Sequence, residues 1–241
     1  MAYIPYGKQC IDDDDINEVV KTLKSGWLTQ GPKIKEFEES ICKYTGAKYA
    51  VAVANGTAAL HLACLAAELG TGDELITSPI SFVASSNCAL YCGATPVFAD
   101  IDPKTYNIDP KEIKKKITSK TKIIVPVHFA GQPCELEKIN KIAKDNNLIV
   151  IEDACHAIGS IHKGRKIGAC DYSDMTVFSF HPVKTIATGE GGMITTNNEK
   201  LYKKLILLRQ HGINKDPKEL SKNEGPWYYE MQILGYNYRI S

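Results

Sequence analysis

The sequence predicts an α/β fold built on one wide, mostly parallel sheet of seven strands. Two observations predict it: apolar runs of strand length recur along the chain, and segments of helical period separate most of them. A third bounds the size. With 241 residues, 44% hydrophobic and 24% charged, the chain can bury a core as one domain, or as one large domain of something longer; disorder and collagen-like repetition are excluded.

Taken in order, the acidic run Asp12 to Asp15 precedes a helical pattern and reads as a solvated first turn, where carboxylates meet the positive end of the helix dipole. The first strand is "YAVAV" (49–53), and the helix "NGTAALHLACLAAEL" follows it. Next come "ELITS" (74–78), a helix over 81–92, "TPVFAD" (95–100), and a helix over 109–117 whose start is signalled by Asp109, Pro110 and Glu112. "TKIIVPV" (121–127), a helix over 134–146, "NLIVIED" (147–153), "DMTVFSF" (174–180), "GGMITT" (191–196) and a helix over 197–210 complete the pattern. No helix separates the last two strands, which predicts either a tight crossover or an antiparallel member in a mixed sheet. Residues 211–232, polar and rich in Lys, Pro and Asn, read as a long surface loop.

Composition narrows the function. Twenty-nine basic and 28 acidic residues leave no electrostatic footprint for nucleic acid or an anionic membrane, so any partner is recognised locally. The start lacks an apolar signal region and the least polar stretch, 49–69, is interrupted by Asn55, Gly56 and His61, so the expectation is a soluble, cytoplasmic protein. The eight cysteines form no CxxC pair and mostly sit in apolar segments, as reduced core thiols do. Cys88 and Cys92 lie one helical turn apart, but without a second pair no metal is expected.

In open α/β sheets ligands gather at the carboxyl ends of strands. After the first strand, Gly56 allows close backbone approach, Thr57 offers a hydroxyl and a helix N-terminus follows: a phosphate seat, or an ordinary glycine turn with a Thr cap. After the fifth, Asp153 suits a protonated heterocycle nitrogen or the cap of a short helix. The sixth leads through Ser179 to Lys184 amid apolar and glycine neighbours, where desolvation would favour amine chemistry. Phe82 in "SPISFVAS" either stacks on a ring or packs in the core. Phosphate seat, strand-end acid and lysine together meet the needs of pyridoxal phosphate (PLP). The glycines of "TGEGG" read as a tight turn into the next strand, and Glu190 has no role legible in the sequence.

"LTQGPKIKEFEE", "NGTAAL", "PISFVASSNCALYCGATPVFADID", "IEDACHAIGS", "FSFHPVKTIATGEGGM" and "LGYNYRIS", in that order, resemble the DegT/DnrJ/EryC1/StrS sugar aminotransferases, which are PLP enzymes of fold type I. The resemblance implies a three-layer α/β/α large domain behind an N-terminal arm, together spanning 1–241, with the family's small C-terminal domain not contained in this chain. It implies that Lys184 captures the cofactor aldehyde and moves the proton, and that Asp153 pairs with the ring nitrogen. Phe82 and Cys155 would flank the ring, His156 would buttress Asp153, and Gly56, Thr57 and Ser179 would hold the phosphate. Asn237 would reach the phosphate of a partner subunit, so a homodimer is implied.

Within the family, the text is similar to PseC-type members, which implies amination of the 4-keto group of a UDP-linked 6-deoxy-N-acetyl hexose with glutamate as donor. Tyr6, Gly26, Trp27, Leu28 and Thr29 would then line the sugar-nucleotide pocket, Trp27 being otherwise a loop residue folded onto the core. Surface-glycan synthesis, including pseudaminic acid, is the implied destination. The alternative is a truncated PLP-binding paralogue or fragment without turnover. Lysine rather than histidine at 184 argues against the related dehydratases, and "NGTAAL" is no dinucleotide fingerprint, which argues against a nicotinamide enzyme. A plain α/β binding domain would show no cofactor spectrum.

Overall fold

A computed structural model describes residues 4–5, 7–222 and 224–241. Two helices open it. Asp12 caps α1 (Asp13–Lys24) by accepting the Asp14 and Asp15 amides, while the Asp15 carboxylate takes the Asp12 N–H in return. Helix α2 (Pro32–Thr45) starts with proline in its first turn and stops at Gly46, whose φ of +88° only glycine adopts without strain. The sequence reading left this helix out, although Ile34, Phe37 and Ile41 recur at helical spacing between those two signals.

Each of the seven expected strands forms, with ends trimmed by up to two residues. In chain order they begin with β1 (Tyr49–Val53), β2 (Glu74–Thr77), β3 (Thr95–Phe98), β4 (Thr121–Val125) and β5 (Ile149–Asp153). A short hairpin, β6 (Ile161–His162) and β7 (Arg165–Lys166), interrupts the series before β8 (Met175–Ser179) and β9 (Gly192–Thr196). The seven-stranded sheet has the order β1-β9-β8-β5-β4-β2-β3. Strand β9 runs antiparallel to both neighbours and the other pairings are parallel, so the missing helix before β9 marks an antiparallel member. The 211–232 segment is not all loop: β10 (Ile213–Asn214) and β11 (Glu230–Met231) pair within it.

Helices α3 (Gly56–Ala66), α4 (Ala84–Tyr91), α5 (Pro110–Lys116), α6 (Leu136–Asp145) and α7 (Glu199–Arg209) complete the chain. Strand residues alternate between two cores, as the period of two requires. Val51, Val53, Ile123, Ile151 and Val177 pack beneath α3, α4 and α7, whereas Ala50, Ala52, Ile124, Val150 and Phe178 face α2, α5 and α6. The result is a three-layer α/β/α stack with both sheet faces covered.

One buried ion pair ties α2, β1 and α7 together. Arg209 Nη1 lies 2.6 Å from Glu38 Oε1 and 2.8 Å from the Ala52 carbonyl, while the Ala52 amide donates to the same carboxylate oxygen at 2.8 Å. The two side chains are 13% and 14% exposed, so losing one partner strands a charge away from water. Glu38→Ala is expected to destabilise the fold by about 3 kcal/mol, measured by urea unfolding against the parent chain; a loss below about 1 kcal/mol would mean that Arg209 finds solvent instead.

Candidate active site

The carboxyl ends of β2, β4, β5 and β8 and the N-terminus of α3 border one open cavity of about 860 Å³. Every residue expected to hold a cofactor lines it except Asn237. Asn237 instead forms a backbone bridge with Gln210 beyond the cavity wall.

At the base of α3, Asn55 is the cap: its Oδ1 accepts the Ala58 amide at 2.8 Å. The amides of Gly56 and Thr57 donate to no protein group among the described residues, leaving them free for an anion. Glycine is required here for space. A Cβ on Gly56 would sit 2.9 Å from Ser179 Cβ and 3.2 Å from Ser179 Oγ, filling the gap between the helix start and that hydroxyl. A Cβ on Gly192 would come within 2.3 Å of the Asn55 carbonyl oxygen, so the first residue of β9 must also be bare for α3 to begin where it does.

Asp153 ends β5 and is 5% exposed. Its Oδ2 accepts from Ser85 Oγ at 2.6 Å, and Ser85 is in turn 2.6 Å from Ser81 Oγ. Its Oδ1 accepts the Cys155 amide at 3.2 Å. The carboxylate thus caps the following turn, and Asp153 also lines the cavity. Nothing in the sequence singled out Ser85, because only the packing of α4 against the strand ends brings it to an acid 68 residues away. Burial, followed by the Asp153 charge, pushes the Cys155 thiol well above its usual range, so it lines the floor as neutral sulfur.

The expectation that His156 buttresses Asp153 is corrected. His156 Nε2 lies 2.7 Å from Lys184 Nζ, and the Asp153 oxygens are taken up by Ser85 and the Cys155 amide. Lys184 itself is half-exposed on an exposed loop, not sealed among apolar groups as the sequence reading had it. Burial, then the Lys184 charge, holds the His156 imidazole below its ordinary pKa, leaving its Nε2 lone pair to accept from the ammonium. Phe82, 74% exposed, stands at the rim and is not a core residue, while Glu190 joins the wall from the lysine loop.

Beneath the floor, on the opposite face of β5, Glu152 Oε2 accepts from His128 Nε2 at 2.7 Å. The Cys134 amide donates to His128 Nδ1 at 3.1 Å, which selects the Nε2–H tautomer and fixes the loop after β4 against the cavity. The expected sugar-nucleotide residues are not brought here. Gly26, Trp27, Leu28 and Thr29 lie in the exposed α1–α2 connection, with Trp27 61% and Leu28 62% exposed, so Trp27 is not folded onto the core. The reason is local: α1 buries none of its residues against this chain and leaves the connection on the surface. Tyr6 lies outside the described residues.

Comparison with known proteins now decides the family. The model of the DegT/DnrJ/EryC1/StrS aminotransferase family matches residues 9–241. The chain belongs to that family. It is 47% identical over 234 residues to the spore coat polysaccharide biosynthesis protein SpsC of Bacillus subtilis, covering 97% of the chain and 60% of the relative. Among solved structures it is similar to Helicobacter pylori PseC, an aminotransferase involved in the biosynthesis of pseudoaminic acid, with TM-score 0.88, 37% identity, and 98% of this chain covered against 61% of that one. The sugar aminotransferase Spr1654 of Streptococcus pneumoniae in its PMP form gives TM-score 0.90 at 35% identity, covering 98% of this chain and 64% of that one. The chain thus spans roughly three fifths of the length of each of these relatives. The family's cofactor is PLP, and the residues present fit it: free amides over a glycine-only gap, a buried acid and a facing lysine. Among the described residues no helix is long and apolar enough to cross a membrane.

An NMR titration of the cofactor-free chain should place His156 below the ordinary histidine pKa of about 6.5. Lys184→Met should move it upward by removing the neighbouring charge. An unchanged value would show that burial alone sets the shift.

Proposed function

We propose that this chain carries the PLP site of a nucleotide-sugar aminotransferase acting on the 4-keto group of a UDP-linked 6-deoxy-N-acetyl hexose, with glutamate as amino donor. One observation carries the reading: Lys184, Asp153 and the free amides of Gly56 and Thr57 meet in a single cavity from three separate strand ends. When bound, PLP supplies an aldehyde that captures amines and a protonated ring that draws electrons from a substrate carbon.

The chain's own residues supply the rest. The Gly56 and Thr57 amides, with the Thr57 and Ser179 hydroxyls, bind the phosphate at the positive end of α3. Asp153, oriented by Ser85 and the Cys155 amide, holds a proton on the ring nitrogen by a charge-assisted bond. Phe82 and Cys155, both lining the cavity, would flank the ring. The Lys184 amine, hydrogen-bonded to His156 Nε2 at 2.7 Å, would act first as nucleophile and then as proton carrier at the substrate carbon.

The sugar end is assigned to a second copy. Trp27 and its neighbours Gly26, Leu28 and Thr29 stand free on the surface, away from the cavity of their own chain, as does Asn237. A homodimer would bring Asn237 to the facing phosphate and the Trp27 segment, with Tyr6, to the nucleotide sugar. Likeness to PseC and to a coat polysaccharide protein supports a cytoplasmic role in surface-glycan synthesis, with pseudaminic acid a specific candidate.

Borohydride reduction with added PLP, followed by peptide mapping, should fix a pyridoxyl group on Lys184 and nowhere in Lys184→Ala; labelling of another lysine in the parent would overturn the assignment. Asp153→Asn should keep the adduct yet lower amination of the keto sugar by roughly 100-fold or more. Full activity in that variant would remove Asp153 from the mechanism.

A further inference from the structure

One buried side chain outside the cavity grips the loop that walls it. Strand β4 stops before Pro126, which has no N–H to give to a ladder, and pairing with β5 resumes for a single bridge between Val127 and Asp153. Residues 128–133 then make two tight turns: the Gly131 amide donates to the His128 carbonyl, and the Gln132 amide to the Phe129 carbonyl. Within them Ala130 sits at φ +50°, ψ +25°, a left-handed conformation that a residue with a Cβ holds only where its surroundings impose it. Phe129 and Ala130 are both exposed, so apolar burial is not what imposes it.

Asn107 supplies the constraint. It lies in the connection between β3 and α5 and is 4% exposed. Its Oδ1 accepts the Phe129 amide at 3.0 Å, while its Nδ2 donates to the Gln132 and Pro133 carbonyls at 2.9 and 3.2 Å. Both donors of the side-chain amide are thus spent on one loop. The connection that carries Asn107 is itself closed, because the Asp102 amide donates to the Asn107 carbonyl at 2.9 Å and Ile101 bridges Ile108. The gripped loop in turn backs two residues of the site. The His128 amide donates to the Asp153 carbonyl at 3.1 Å, and Ser160 Oγ donates to the Gly131 carbonyl at 2.7 Å. A Cβ on Gly131 would stand 2.8 Å from the His156 carbonyl oxygen, so loop and turn are in direct backbone contact.

We propose that Asn107 is a positioning residue for the Lys184 site: by clamping residues 128–133 it holds Phe129 in the cavity wall and fixes the turn on which His156 meets Lys184. Asn107 does not line the cavity and acts only through that loop. Its loss leaves one amide and two carbonyls without their partner at once, and the exposed loop then relaxes away from the left-handed Ala130 and withdraws its support from the turn. The consequence for amination rests on the role proposed above for Lys184, whereas the contact between His156 and Lys184 can be followed without cofactor.

The test is NMR on the cofactor-free chain, reading exchange of the Phe129 amide and the titration of His156, whose charged neighbours are Lys184 and Asp153. Asn107→Ala should speed exchange of the Phe129 amide by roughly tenfold, the weight of one hydrogen bond. It should also raise the His156 pKa toward its ordinary value, as burial and the Lys184 charge both recede. Ser160→Ala removes a single bond from the same loop; it should move His156 the same way, and it decides the question if Asn107→Ala does not fold. Glu38→Ala weakens the junction of α2, β1 and α7 and should leave His156 where it is. An unchanged His156 in Asn107→Ala, or in Ser160→Ala where the first variant is unfolded, overturns the proposal. So does an equal rise in Glu38→Ala, which would reduce Asn107 to a general stabiliser. Failure of PLP to label Lys184 in the parent chain would instead refute the cofactor reading and leave this result standing.

Discussion

The whole site depends on one close backbone approach. Strand β9 inserts antiparallel between β1 and β8, so Gly192 is the partner of both Val53 and Ser179. At that point the chain leaving β1 turns immediately into α3, over the bare Cα of Gly192 and against the Ser179 side chain. Any Cβ at Gly192 would meet the Asn55 carbonyl and the Gly56 nitrogen, and the helix start could not rest there. The free amides of α3, the hydroxyl of Ser179 and the lysine loop between β8 and β9 are brought together by this single crossing.

Around it the acid is prepared by its hydrogen bonds. A buried carboxylate without partners pays the full cost of leaving water, whereas bonds from a hydroxyl and an amide offset that cost and fix its direction. Ser85 and the Cys155 amide supply those bonds to Asp153 from α4 and from the turn after β5. Across the strand, Glu152 is satisfied in the same way by His128, Thr176 and Ser173. Two adjacent carboxylates thus serve opposite faces of one strand, one toward the cavity and one anchoring the loop that walls it. His156 is freed by this arrangement to pair with Lys184.

Much of this was legible. Periodicity located all seven strands because β-branched and apolar runs such as "TKIIV" leave no other reading at that length, and glycines and prolines punctuate them. Gly56, Thr57, Asp153, Ser179 and Lys184 were found because strand ends are where such a sheet collects ligands, and all five line the cavity. Helix α2 was passed over despite Pro32, Gly46 and an apolar stripe, as its start followed a turn-like "TQGP". Ser85 and Asn55 carried no signal of their own, since serines and asparagines populate every helix start and loop.

By itself the sequence determined the alternation of strands and helices, the absence of a helix before the last strand and the three chemical groups of the site. Those follow from local periods and residue types, which need no partner to be read. Only the tertiary structure decided that β9 runs antiparallel, that Ser85 reaches Asp153, that His156 turns to Lys184, and that Trp27 lies outside the cavity. Those outcomes depend on side chains competing for the same acceptors and on surfaces far apart in the chain. Such competition is settled by three-dimensional packing, not by spacing along the sequence.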